Sequence, residues 1–273
     1  MPTDADRIAE LARLTDPNRP PDAPGPARVV PAGYLAATRT ATYGFLAALP
    51  LLVLYEVGIL LANGGQMHQV RVGADVWLKA LLAFLGGTGW MALGLAVLVV
   101  GAAVFWAERR RRPPIRARFF GLIVAESLVY AVVLAFVVGG AVGLLFGVWA
   151  APVNALAQVA RLPLTLQLAL SIGAGLYEEL VFRVLLVGGL FLLARRFFPA
   201  RWQAYLAAAL VGAFLFSLVH YVGAFGDPFT LPSFTFRFLF GLALNGVFLL
   251  RGFAVAAWTH ALYDVLVVTG AFL

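Results

Sequence analysis

The chain has no cysteine, a single lysine (Lys79) and three histidines, and charged residues fill only 12% of its 273 positions. Without cysteine there are no disulfides, no thiolate metal ligands and no thiol nucleophile. The charge content is about half of the roughly 25% found in soluble domains. Hydrophobic residues reach 62%, and so little polar surface cannot cover that much apolar surface in water. An ordinary soluble globule is therefore excluded. No internal repeat stands out, which argues against the inverted-repeat transporter plans. Met1–Arg39 mixes acids, arginines and prolines ahead of any hydrophobic stretch, so no secretory signal peptide is expected there.

What is present is a series of apolar runs at or beyond the ~18–20 residues that cross a bilayer core. The expected fold is an all-α polytopic membrane protein, a bundle of seven transmembrane helices, or eight, with interfacial amphipathic helices. The spans run at about Tyr43–Leu61, Leu81–Trp106, Phe119–Val138, Leu166–Leu193, Trp202–Tyr221, Phe236–Leu250 and Phe253–Phe272. Val70–Leu82, with Arg71, Asp75 and Lys79, reads as an amphipathic surface helix. Gly139–Ala160, with Pro152, Asn154 and Gln158, reads as an interfacial or re-entrant piece and the source of any eighth span. Residues 1–39 read as a disordered, proline-rich cytoplasmic tail and 40–273 as the membrane domain.

The net charge of +7 does not point to nucleic acid, because the arginines sit at the ends of apolar runs. Arg7, Arg13, Arg19, Arg28, Arg39, Arg109–Arg112, Arg116, Arg118, Arg195, Arg196, Arg201 and Arg251 all fall on one side of a seven-span map. Arg71, Lys79, Arg161 and Arg237 fall on the other. The positive-inside rule then expects a cytoplasmic N-terminus and an external C-terminus. The bias towards Ala, Gly, Leu and Arg suggests a GC-rich bacterial genome, hence a bacterial plasma membrane.

Ionisable side chains inside spans are costly unless paired or facing a wet cavity, so they are functional candidates. They concentrate late in the chain, in Tyr177-Glu178-Glu179-Leu180-Val181-Phe182-Arg183, in Phe216-Ser217-Leu218-Val219-His220, and in His260-Ala261-Leu262-Tyr263-Asp264. Glu179 and Arg183, four apart, share a helix face and can pair. Glu178 points about 100° away and must find another partner, hold a water or be protonated. Phe216 lies one turn from His220 and can buttress its ring. Asp264 lies one turn from His260 and can fix its tautomer. Two histidines and a glutamate converging on one water would supply the base, the oxyanion donor and the acid needed to hydrolyse an amide. Simple span placement, however, sets His220 near the outer face and His260 near the inner one, so convergence demands tilted or offset helices. His68 reads as a solvated loop residue, and Glu56 and Glu126 as cavity-lining or paired with Arg183 or Arg237.

The ordered set Glu-Glu-x-x-x-Arg, Phe-x-x-x-His and His-x-x-x-Asp on successive membrane helices resembles the signature of the CPBP family. That family includes type II CAAX prenyl proteases and bacterial Abi proteins. The resemblance covers about Leu166–Leu273. It implies an intramembrane endopeptidase in which Glu178 activates water, His220 assists, and His260 stabilises the oxyanion beside Asp264, where many relatives carry Asn. Glu179, Arg183 and Phe216 would be accessory. Relatives are described both as metalloproteases and as glutamate-dependent. No obligatory cofactor is expected; zinc or another divalent metal is the alternative, held by Glu178, His220 and His260. The expected partners are a membrane-associated protein or peptide substrate and the lipid bilayer. Two competing functions are a non-catalytic membrane scaffold and a proton- or ion-coupled carrier using Glu178 and His260 as relays.

Overall fold

The computed structural model describes residues 33–64, 70–84, 89–109, 113–147, 162–223 and 226–271. Most of the expected tail, His68, and the Pro152, Asn154 and Gln158 portion of the expected re-entrant piece lie outside these residues. Among the described residues every regular element is helical. The helices are α1 (Tyr34–Thr38), α2 (Ala41–Ala62), α3 (Gly73–Phe84), α4 (Gly89–Ala107) and α5 (Ala117–Phe146). A continuous rod, α6 (164–194), follows, then α7 (Arg201–Val219), α8 (Leu231–Arg251) and α9 (Phe253–Val268). Four of them, α2, α5, α7 and α8, are each long and apolar enough to cross a membrane, and Leu93–Ala107 and Phe253–Val268 are shorter apolar helices. Their outward faces carry exposed Leu, Val, Phe and Trp, a surface suited to lipid. The chain is an integral membrane protein.

Several boundaries differ from those read in the sequence. Of the run expected over Leu81–Trp106, Leu81–Phe84 belong to α3 and Gly89–Trp106 to α4, and residues 85–88 lie outside the described residues. Helix α5 continues past Val138 to Phe146, taking up the first eight residues of the expected Gly139–Ala160 piece. It stops at Gly147, whose φ of 65° lets its N–H return to Gly143 O at 2.9 Å, a left-handed cap that favours glycine. Hydropathy continues through that point; only backbone handedness ends the helix. Tyr34–Thr38, at the close of the expected tail, are helical with Ala37 and Thr38 buried.

Helix α9 occupies the centre. Ala254, Val255, Ala256 and Ala257 are completely buried, and the helix packs on α2, α5, α6 and α8. All three apolar clusters of the bundle draw residues from it or meet it. Small residues on α9 let the surrounding helices close in, the usual device where lipid supplies no hydrophobic drive between helices.

Polar contacts tie one end of the bundle together. The Glu108 carboxylate accepts from Ala41 N (2.8 Å) and Thr42 N (2.9 Å), capping α2 from the end of α4. Tyr43 Oη donates to Pro114 O at 2.9 Å, just before α5. Arg251, ending α8, donates from Nε and Nη2 to Glu126 at 2.5 and 2.8 Å and from Nη2 to Thr38 Oγ1 at 3.0 Å. Tyr34 Oη donates to the same Glu126 carboxylate. The starts of α2, α5 and α9 and the ends of α4 and α8 thus share one end, where Arg39, Arg109, Arg116, Arg118 and Arg251 also lie.

Glu126 is therefore paired with Arg251, and not with Arg183 or Arg237. Glu56 likewise departs from that expectation. It pairs with Arg71 and, at 3.1 Å, with Lys79, both on or beside α3. Asp75 completes this group, 2.6 Å from Arg71 Nε and 2.9 Å from Lys79 Nζ. The charged face of α3 docks on α2 instead of facing water. Breaking one partner of a buried pair leaves the other uncompensated. Glu126→Ala is accordingly expected to cost about 3 kcal/mol of stability, read as a lowered unfolding midpoint in detergent, with Glu126→Gln losing less.

Candidate active site

The site is built on a helix that departs from α geometry. Within α6, Leu164–Gly173 and Gly188–Ala194 are α-helical, while Ala174–Glu178 and Leu180–Val187 are π-helical. Such widened turns recur at functional sites, since they re-aim side chains without ending the helix. Two glycines make room for the neighbours. A Cβ on Gly175 would lie 2.5 Å from Ala257 O, Ala261 N and Ala261 Cβ of α9, and one on Gly173 would lie 2.4 Å from the Tyr55 ring. The π segment thus touches the α9 backbone one turn from His260.

Close approach brings Glu179 to His260. His260 Nδ1 lies 2.7 Å from Glu179 Oε1, and Arg183 Nε lies 3.0 Å from Glu179 Oε2. Glu179 and Arg183 are buried to within 1%. One carboxylate therefore joins a guanidinium on its own helix to an imidazole across the bundle. It accepts the proton on Nδ1 and leaves Nε2 on the side of Asp264. Asp264 does not fix that tautomer as the sequence suggested: its Oδ2 is 3.6 Å from Nε2, beyond hydrogen-bond length, and the Nδ1 partner is Glu179. Arg183 Nη1 and Nη2 have no hydrogen-bond partner among the described residues. The guanidinium instead lies 4.5 Å from the centroid of Phe216, a cation–π contact.

Glu178, on the adjoining face, meets His220. Glu178 Oε2 is 3.9 Å from His220 Nε2 and has no hydrogen bond among the described residues. His220 Nδ1 is 2.7 Å from Phe216 O; a carbonyl only accepts, so Nδ1 carries the proton and Nε2 presents a lone pair to Glu178. The 3.9 Å gap is too long for a direct bond and is the kind a water spans. His220 and His260, which the span map sets at opposite faces, both lie against the ring of Phe216. Helical side chains lean towards their own N-terminus, so His220 reaches back from the end of α7 while Glu178 on antiparallel α6 leans to meet it.

Phe216 is the shared wall. Its ring centroid is 5.0 Å from that of His220, 6.0 Å from that of His260 and 5.2 Å from that of Phe182. Phe240 of α8 closes the other edge of His260 at 5.8 Å. The turn beyond His220 is clipped in place. Asp227 N donates to His220 O at 2.8 Å, and the Asp227 carboxylate pairs with Arg237. Arg237 also donates to Tyr221 Oη at 2.7 Å and Ser233 Oγ at 2.9 Å.

The structure thus brings Glu178, Glu179, Arg183, Phe216, His220, His260 and Asp264 into one cluster. Sequence reading missed Gly175, Phe240 and the Asp227–Arg237 clip. Only Gly175 left a trace, as Gly-x-Gly shortly before Glu178 in an apolar span. Among the described residues no group of three or more His, Asp or Glu side chains is arranged to hold a metal ion.

Two substitutions test the packing logic. Gly175→Val is expected to destabilise the protein by about 1–3 kcal/mol and to separate Glu179 from His260, read by thermal unfolding and by crosslinking between α6 and α9. Glu179→Ala is expected to cost about 3–5 kcal/mol, and the double change Glu179→Leu with Arg183→Leu distinctly less, since neither charge is then left buried alone.

Residues 160–266 match the family model described as type II CAAX prenyl endopeptidase Rce1-like. No curated protein and no solved structure gives a match. The matched segment opens just before α6 and closes within α9, so it contains every residue of the cluster just described. Over residues 160–266 the chain is similar to the type II CAAX prenyl endopeptidase family, the CPBP family.

Proposed function

We propose that this protein is an intramembrane endopeptidase that hydrolyses a peptide bond in a membrane-associated protein or peptide, using a water activated by Glu178. The similarity of residues 160–266 to a peptidase family supports the reaction class. The observation that carries the assignment of residues is the facing pair of Glu178 Oε2 and His220 Nε2, 3.9 Å apart, one an unpartnered carboxylate oxygen and the other an imidazole lone pair. A water between them gives a proton to Glu178 while His220 orients it, and its oxygen attacks the scissile carbonyl carbon. His260, held through Nδ1 by Glu179, turns Nε2 towards the developing oxyanion and in its doubly protonated form donates to it. The C–N bond then breaks, and Glu178 returns its proton to the leaving amine. Arg183 and Phe216 act through Glu179 and the two imidazoles as positioning residues.

In the membrane, we read α2, α4, α5, α6, α7, α8 and α9 as seven spans, with the N-terminus cytoplasmic and the C-terminus outside, in a bacterial plasma membrane. Support comes from the gathering of the arginine-rich helix ends at one end of the bundle. Glu178→Gln is expected to lower cleavage of a membrane-anchored peptide about 10²–10⁴-fold without changing the unfolding midpoint. Full activity in that variant would refute the reading.

A further inference from the structure

His220 stands at a weak point of the backbone. It is the C-cap of α7, and its N–H reaches Ser217 O at 3.4 Å. Tyr221 and Val222 bond three residues back in the same way, at 3.1 and 3.3 Å. Helix ends of this kind fray unless something outside the helix holds them. Yet the gap between His220 Nε2 and Glu178 Oε2 depends on where this last turn sits.

The hold comes from α8. Arg237 is buried and grips the chain on both sides of the His220 peptide unit. Its Nη1 donates to Tyr221 Oη at 2.7 Å and to Ser233 Oγ at 2.9 Å. Its Nη2 pairs with the Asp227 carboxylate, and Asp227 N donates to His220 O at 2.8 Å. Tyr221 Oη donates to Ser233 Oγ at 2.8 Å, which closes the ring of contacts. One turn earlier on α7, Ser217 Oγ donates to Phe234 O at 2.8 Å and fixes the two helices together.

The same stretch of α8 meets the rest of the cluster. Three residues after Arg237, Phe240 lies against His260. Four residues after it, Gly241 lies so near Phe216 that a Cβ would come within 3.0 Å of the ring. The guanidinium also acts electrostatically on His220, Asp264 and Tyr263. Apolar packing closes a turn at less cost than a buried ion pair does, and charge within a membrane bundle marks a site by default. A planar fork holds a carboxylate and two hydroxyls at once, a geometry that a lysine ammonium does not reproduce.

We infer that Arg237 is a further positioning residue of the hydrolytic site, setting through Asp227 and Tyr221 the last turn of α7 and with it the spacing of His220 from Glu178. The effect on turnover rests on the hydrolytic reading; the hold on His220 does not. Three variants of the full chain in lipid test it. They are Arg237→Gln, Arg237→Lys and the double change Asp227→Asn with Arg237→Gln, which leaves no buried charge alone. Cleavage of a lipid-anchored fluorogenic peptide gives kcat and KM, and ¹⁵N spectra of the histidine side chains report on His220 without turnover.

The expected result is a kcat about 10²-fold lower in Arg237→Gln and in the double variant, with KM little changed and the His220 signal displaced. Arg237→Lys is expected to recover part of the loss. A His220 signal that stays in place in the double variant overturns the inference, as does a defect confined to the unfolding midpoint. An unchanged kcat in the double variant, beside an inactive Glu178→Gln, also overturns it and spares the hydrolytic reading. A displaced His220 signal together with a fully active Glu178→Gln would sink the hydrolytic reading and leave the hold of Arg237 on His220 standing.

Discussion

One carboxylate sets the geometry of the cluster. Glu179 is fully buried and serves Arg183 and His260 together, so it fixes the rotation of α6, the depth of α9 and the tautomer of the imidazole in a single contact. Buried charges survive in such surroundings only when each is paired. That requirement couples the fold to the chemistry: His260 cannot swing away without stranding Glu179 beside an already underpartnered guanidinium. Gly175 makes the contact geometrically attainable, since any side chain there would strike the backbone of α9.

The neighbouring glutamate is freed by this arrangement for a different use. With Arg183 and His260 both engaged by Glu179, Glu178 is left facing His220 across a gap that suits a water. Two adjacent carboxylates thus acquire different environments from one turn of widened helix. Tyr177, between the cluster and α2, donates to Glu56 at 3.3 Å and packs on Tyr55 at 5.3 Å. The Glu56–Arg71–Asp75–Lys79 group is therefore contiguous with the helix that carries Glu178, and it anchors α3 to that side of the bundle.

Much of this was legible in the chain alone. Composition and run length were enough for the membrane class, and three spaced motifs named the side chains that the fold brings together. Helical periodicity, however, reports only neighbours on the same helix. It found Glu179 with Arg183 and Phe216 with His220, but assigned the His260 tautomer to Asp264, the nearest carboxylate on its own helix. The true partner is 81 residues away and is selected by packing at Gly175. The same blindness hid the partners of Glu56 and Glu126 and the capping of α2 by Glu108. Backbone geometry was equally silent in hydropathy: the π turns of α6 and the left-handed stop at Gly147 leave no mark on apolar run length.

The most direct measurement is ¹⁵N magic-angle-spinning NMR of the histidine side chains in lipid, where a chain with only three histidines gives resolvable signals. A carboxylate at Nδ1 of His260 and a carbonyl at Nδ1 of His220 predict that Nδ1 carries a proton in both rings, with the His260 Nδ1 signal changed by Glu179→Gln and the His220 signal left in place. An unprotonated Nδ1 in His260, or a His260 spectrum indifferent to Glu179, would contradict the shared-carboxylate arrangement and with it the placement of the site.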